Sequence, residues 1–374
     1  MTRIDLPAAP RILVVALRRL GDVLLTTPLV RSLRRAWPDA TIDVLVFADT
    51  AGILEGNPDL DRVITLSAGR SLQESFALAA QLWNRYALAI STQTGDRPTL
   101  FTWIAGHRRV GPVDAGLRGV LRRCLLDRSV LPRAGVHRVE DVLRLVDALG
   151  ITRISEVVCP TAARPRGAAD QPFAVIHAAP MFRYKQWTRE GWREVAAMLA
   201  ARGLRVLATG GPSTGERFYL DEVWRGAPVE RRDGSLRWSE LASCLAQAAV
   251  YVGPDTSVTH LAAATGCPTV ALFGPTDPRL WGPWPARGLS EPWAPSGTIQ
   301  RRGNVWLVQN PLPCLPCQQE GCERHVGSHS DCLDHLTARQ VLLAVDEAVA
   351  STATQAAPIL DRGDMRVAAE RKGR

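Results

Sequence analysis

The stretch that most constrains the fold runs from Val250 to Trp284, V-Y-V-G-P-D-T-S-V-T-H-L-A-A-A-T-G-C-P-T-V-A-L-F-G-P-T-D-P-R-L-W-G-P-W. A short apolar strand, Val250 to Val252, breaks at Gly253-Pro254. Asp255, Thr256 and Ser257 then offer N-caps to an apolar-faced helix that ends near Gly266. A second strand follows from Thr269 to Phe273, so the stretch predicts a strand, turn, helix and strand of a parallel sheet, whose ligands collect at the carboxyl ends of the strands. The free N–H groups at the helix start would face an anion there. A well-capped helix of any α/β protein accounts for much of this pattern. What exceeds it is the density of polar groups: Asp255, Thr256, Ser257, His260 one turn on, and a second polar turn carrying Thr276.

These residues carry a resemblance. G-P-D-T-S-V-T-H-L-A-A-A-T-G followed by F-G-P-T-D-P resembles the nucleotide-sugar-binding segment of the family 9 glycosyltransferases, the bacterial heptosyltransferases of the lipopolysaccharide inner core. The resemblance implies that Asp255, Thr256, Ser257, His260 and Thr276 position the donor, while His260 read by itself fits a satisfied core histidine as well. Ser257 departs from the family, which usually has Gly there, and a side chain at that point would crowd or retune the donor pocket.

Length and composition bound the alternatives. A chain of 374 residues with 46% hydrophobic content buries a large core and predicts two or three domains. No run approaches the ~20 apolar residues of a membrane span, and Met1 to Pro10 lacks the apolar core of a signal peptide, so the expected compartment is the cytoplasm. The formal charge of +8 rests almost wholly on arginine, since only Lys185 and Lys372 are lysines. That charge favours anionic partners such as lipid headgroups or phosphorylated saccharides; no base-reading motif supports nucleic acid. A P-loop is excluded because neither lysine lies in Gly-Lys-Ser/Thr, and Gly-x-Gly-x-x-Gly and His-Glu-x-x-His are missing too.

Taken in order, Arg11 to Leu17 predicts a buried strand, and Arg18-Arg19-Leu20-Gly21-Asp22 turns it into a helix that Pro28 either kinks or restarts. Asp22 at that helix start suits the helix dipole. It also lies in L-R-R-L-G-D-V-L-L-T-T-P, which looks like the family's first motif, where the resemblance makes the Asp a general base. Repeated β-α units follow to Thr92, then an arginine-rich, loop-rich region from Arg108 to Arg133 and a helix from Val139 to Leu149. Those arginines form either a solvated face or a patch for acceptor or membrane phosphates. The prolines of residues 161–172 predict a linker between an N-terminal acceptor domain (1–160) and a C-terminal nucleotide-sugar domain (173–350).

In the second half, the loop after the strand Phe173 to His177 carries Lys185, a compact point charge of the kind that binds phosphate. H-A-A-P…Y-K-Q-W resembles the family loop in which a Lys meets the donor diphosphate. Gly211 and Glu216, in the turn after the next strand, are further donor contacts by resemblance. Cys314, Cys317, Cys322 and Cys332, with histidines nearby, either hold a structural zinc or are free thiols. Leu336 to Ala350 predicts a last helix, which the resemblance sends back to brace the first half, and 351–374 a disordered tail.

Together the residues and the resemblance imply a GT-B architecture, an α/β fold of two Rossmann-like, doubly wound domains facing an interdomain cleft. The implied reaction is inverting and needs no catalytic metal. Asp22 activates an acceptor hydroxyl of a lipid-linked or lipopolysaccharide core, and Lys185 assists departure of ADP from ADP-heptose at the cytoplasmic face of the inner membrane. The alternatives are another nucleotide sugar or acceptor, or a binding protein without turnover.

Overall fold

The computed structural model describes residues 2–67, 72–131, 133–161 and 171–356, with side chains described outside 72–75 and 352–356. In the first half, β1 (Arg11–Ala16), β2 (Thr41–Phe47), β3 (Arg62–Leu66), β4 (Tyr86–Ser91), β5 (Gly106–Pro112) and β6 (Arg128–Val130) form a parallel sheet. Its order is β3-β2-β1-β4-β5-β6. The accompanying helices are α1 (Leu20–Leu24), α2 (Thr27–Ala36), α3 (Leu72–Leu82), α4 (Asp96–Ala105), α5 (Leu117–Arg123) and α6 (Arg138–Leu149). Runs such as Ile12-Leu13-Val14-Val15 are fully buried, as a parallel sheet covered on both faces requires.

The second half repeats the plan. Its strands are β7 (Phe173–His177), β8 (Arg205–Thr209), β9 (Glu230–Arg231), β10 (Val250–Pro254), β11 (Thr269–Leu272), β12 (Ile299–Arg302) and β13 (Val305–Val308), ordered β12-β13-β11-β10-β7-β8-β9. Its helices are α7 (Arg189–Ala201), α8 (Thr214–Val223), α9 (Trp238–Gln247), α10 (Ser257–Thr265), α11 (Pro278–Trp281), α12 (Asp331–Asp334) and α13 (Ala338–Ala356). Apart from β12, which pairs antiparallel with β13, both sheets have the doubly wound order, and the strand order reverses between β1 and β4 and between β7 and β10. This is the GT-B architecture. One apolar cluster runs from Ile12 and Val23 of the first half to Leu245, Leu261 and Trp284 of the second, so the halves share a core.

Several expectations change. Pro28 lies in the first turn of α2, where its missing N–H costs nothing, and α1 is a separate short helix. Within the arginine-rich region, Gly106 to Val130 form β5, α5 and β6; the arginines and glycines conceal a regular β-α-β unit. Among the described residues, the last helix packs on the second half rather than bracing the first. Val341, Ala344, Val345 and Ala348 of α13 are buried in a cluster with Ile176, Val195 and Trp306 of the second half, and Trp187 Nε1 donates to Leu336 O at 2.8 Å. Residues 351–356, expected in a disordered tail, continue α13, and 357–374 lie outside the described residues. Most of the expected linker, 162–170, is likewise outside them, while Thr161 N donates to Glu55 O at 2.9 Å.

His137 holds the two halves together. Val139 N–H donates to its Nδ1 at 3.2 Å, which leaves the proton on Nε2 to be donated to Gly282 O at 2.8 Å, while the ring lies 4.8 Å from that of Trp284. Trp284 Nε1 donates in turn to Ser155 O at 2.8 Å. Burial pushes the His137 pKa down to about 3, and that of His177 down to about 4. In the unfolded chain both bind a proton near their ordinary value. Their contribution to stability is therefore complete above about pH 6.5 and is lost as pH falls toward the folded values, at about 1 kcal/mol per pH unit for each ring. Urea midpoints should drop between about pH 7 and pH 5, and less steeply in His137→Gln. A midpoint unmoved by pH would show that neither ring is held neutral.

Candidate active site

Each expected site residue except the cysteines follows the carboxyl end of a strand, because that is where a doubly wound sheet exposes its loops. Asp22 is in α1, after β1; Lys185 follows β7; Asp255 and Thr256 follow β10; Thr276 follows β11. The two sets meet where α1 approaches α10. Gly21 lies so close to α10 that a Cβ there would sit 3.5 Å from the His260 ring and 3.7 Å from Ser257. From the same exit, Arg19 reaches across to lie 4.9 Å over the ring of Phe182, in the loop that carries Lys185.

On the second-half side, Asp255 gathers the polar groups. Its Oδ2 accepts from Lys185 Nζ at 2.5 Å and from Thr276 Oγ1 at 2.7 Å. Burial alone would raise the Asp255 pKa, but Lys185, His260 and the two hydrogen bonds outweigh it and hold the carboxyl below its ordinary value. Lys185 keeps 20% of its side chain exposed, so its ammonium is anchored by Asp255 while still open to a ligand. His260 is buried, and burial lowers its pKa against the opposing pull of Asp255. Its Nδ1 is buried with no hydrogen-bond partner among the described residues. A satisfied core histidine would not leave that atom open.

Thr256 has a structural role as N-cap of α10, its Oγ1 accepting from Thr259 N at 3.4 Å. The amides of Ser257 and Val258 lie ahead of the first intrahelical bond and bring the positive end of the helix to the site. Tyr251 OH and Thr259 Oγ1, 2.8 Å apart, brace the same turn from below.

On the first-half side, Asp22 is 7% exposed. Its Oδ1 lies 3.0 Å from Arg18 Nε and 3.3 Å from Arg138 Nε, both too oblique for a directed hydrogen bond, so the contacts are ion pairs that orient the carboxylate. Arg138 also donates to Thr92 O at 2.9 Å, and burial lowers its pKa against the pull of Asp22. Neither arginine was expected in the site. Arg138 had left one signal: it opens α6, where a cation opposes the helix dipole and needs another reason to be there.

Gly211 and Glu216 serve each other. Gly211 N–H donates to Glu216 Oε1 at 2.5 Å, and a Cβ on Gly211 would meet Glu216 Oε2 at 2.5 Å. They cap the turn into α8 at the carboxyl edge of the same sheet, with no contact to the Asp255 group among the described residues. The four cysteines do not converge as one ligand set. Among the described residues, the metal-binding side chains whose donor atoms all lie within 4.8 Å of one another are Cys322, His329 and Asp331. Cys332 is buried, and burial, followed by the nearby sulfurs of Cys317, Cys322 and Cys314, pushes its thiol pKa up to about 12.

Comparison with known proteins identifies the family. The family model described as glycosyltransferase family 9 (heptosyltransferase) matches residues 76–290. Lipopolysaccharide heptosyltransferase 3 of Escherichia coli K12 is 28% identical over 304 residues, covering 73% of this chain and 85% of that protein. A family 9 glycosyltransferase from Veillonella parvula superposes with a TM-score of 0.75 at 20% identity, covering 94% of this chain and 100% of that one. An E. coli heptosyltransferase solved with ADP superposes with a TM-score of 0.69 at 23% identity, covering 90% and 99%. With the family model spanning more than half of its residues on this fold, the chain belongs to glycosyltransferase family 9 and is a glycosyltransferase.

Proposed function

We propose that the protein transfers a heptose from ADP-heptose to a lipopolysaccharide core acceptor, with inversion at the anomeric carbon. The observation that carries this reading is the meeting of Asp22 with the Lys185–Asp255–Thr276 group across α1 and α10. The names of the relatives supply the sugar, the acceptor and the nucleotide. The closest contact of each Asp22 ion pair is to Oδ1, and in this reading Oδ2 takes the acceptor hydroxyl proton as that oxygen attacks the anomeric carbon. The departing diphosphate is met by Lys185, the Thr276 hydroxyl and the amides that open α10, a preorganised positive site. In this reading Lys185, the Thr276 hydroxyl and the opening amides of α10 meet the developing charge, and no catalytic metal is called on. Ser257, Gly211 and Glu216 belong to the donor side of this reading, and His260 Nδ1 would find its missing partner on the donor.

A donor screen by mass spectrometry against ADP- and UDP-linked sugars tests the proposal. Product with ADP-heptose is expected; product only with a UDP-sugar would replace the sugar assignment, and tight binding of ADP-heptose without product on any core acceptor would favour a binding protein.

We further propose that the cysteine-rich loop holds a structural metal through Cys322 and His329, with Asp331 and the neighbouring sulfurs completing the set. Cys, His and Asp are all zinc donors. Metal analysis should find about one ion per chain. Chelation should loosen residues 314–332 to proteolysis and leave ADP binding intact. A metal-free preparation with an equally resistant loop would remove the metal.

A further inference from the structure

α5 (Leu117–Arg123) turns an apolar face outward. Leu117 is 86% exposed, Val120 60% and Leu121 70%, and Leu125 is exposed just past the end of the helix. Positions i, i+3 and i+4 share one side of a helix, so Leu117, Val120 and Leu121 form a single ridge. The opposite side is fixed to the protein. Gly119 is buried so tightly against the preceding loop that a Cβ there would come within 1.7 Å of Asp114 O. Arg122 on the same side makes ion pairs to Asp114 and to Asp96 of α4. The ridge therefore cannot roll inward without breaking that seat, and among the described residues nothing covers it.

The flanks of the ridge are basic. Arg118 and Arg123 lie on either side of it, both exposed and with no ion pair among the described residues, and no acid occurs from Ala115 to Leu126. Three large apolar side chains in two helical turns, bordered by unpaired arginines, match a bilayer interface, where acyl chains take the ridge and phosphate headgroups take the guanidinium groups. No described helix is long and apolar enough to cross a membrane, so such contact would be made from the surface. The position suits this. α5 starts after β5, and β4 alone separates β5 from β1, whose exit carries Asp22; strand spacing puts the two exits about 10 Å apart at the same edge of the sheet.

We propose that α5 docks the protein on the surface of an anionic phospholipid bilayer, with Leu117, Val120 and Leu121 inserted and Arg118 and Arg123 on the headgroups, so that Asp22 faces an acceptor carried by lipid. Only this last clause rests on the function proposed above.

Co-sedimentation of the full chain with phosphatidylglycerol-containing vesicles and with pure phosphatidylcholine vesicles tests it. Binding should favour the anionic vesicles and weaken with salt. Leu117→Asp/Leu121→Asp should cut partitioning by about tenfold or more, and Arg118→Glu/Arg123→Glu should remove the preference for anionic lipid. Both sites are solvent-exposed, so ADP affinity by calorimetry and transfer to a delipidated acceptor should stay as in the parent. Equal partitioning of parent and Leu117→Asp/Leu121→Asp would overturn the proposal. A parent that is dimeric, fails to bind vesicles and becomes monomeric in that variant would overturn it too, assigning the ridge to a second copy. Failed transfer with intact vesicle binding would instead count against the proposed function alone.

Discussion

Asp22→Asn is expected to lower the rate of sugar transfer by about 10²–10⁴-fold, the loss that accompanies removal of a general base. The carboxamide keeps the shape and the small exposure of the site but cannot take a proton. It also loses the charge that pairs with Arg18 and with the buried Arg138, so a stability loss accompanies the variant. An uncompensated buried guanidinium costs about 3–5 kcal/mol, reduced here because Arg138 keeps its bond to Thr92 O and its pair with Asp141. Asp22→Asn/Arg138→Met separates the two effects: stability should recover in part while transfer stays slow. Calorimetry should show ADP affinity nearly unchanged in both variants, because Asp22 stands on the acceptor side. Near-normal transfer by Asp22→Asn would take the residue out of the mechanism.

Lys185→Ala should fail in a different way, losing about tenfold or more in ADP affinity as well as turnover. Charge-assisted hydrogen bonds to an ionised group contribute roughly 1.5–3 kcal/mol, which sets that expectation. The structure adds a second consequence. Asp255 is buried and would keep Thr276 as hydrogen-bond partner but lose its cation, so the variant should also be less stable. Adding Asp255→Asn should restore stability without restoring ADP binding, because the carboxamide no longer needs a cation but supplies none to the diphosphate. Lys185→Arg should recover only part of the affinity, since a planar fork replaces a point charge in a site closed around Asp255. Unchanged ADP affinity in a folded Lys185→Ala would place the lysine outside the phosphate site.

What could be read from the residues was local. The strand at Val250 and the helix to Thr265 were legible because each is marked within a few positions by apolar runs, polar cap candidates and a closing glycine, Gly266, at φ +86°, while the choice of Thr256 over Asp255 and Ser257 as cap was not. The strand Phe173–His177 was legible from its apolar run. Long-range pairing left no such mark. The antiparallel edge strand β12 is half-exposed and carries Arg301 and Arg302, so no apolar alternation announces it. β5 carries Arg108 and Arg109 on a strand exposed at His107 and Arg108, and α5 turns its apolar residues outward, which inverts the usual sign of a helix pattern. The choice of α13 between the two halves depended on which surface offered room for Val341 and Val345, a property of the assembled second sheet. The pairing of Arg138 with Asp22 joins residues far apart in sequence, and cysteine spacing did not mark Asp331, whose carboxylate lies within 4.8 Å of the Cys322 and His329 donor atoms.

The most direct test of a site shared between the two halves is a single time course: purified protein, ADP-heptose and a core acceptor, with ADP release and heptosylated product followed together. One ADP released per heptosylated acceptor is expected from the parent chain. Asp22→Asn should bind the donor and form product only slowly, while Lys185→Ala should be impaired already in donor binding. ADP-heptose bound tightly by the parent with no ADP released on any core acceptor, or product formed at the parental rate by both variants, would contradict a transfer site built from Asp22 on one side and Lys185 on the other.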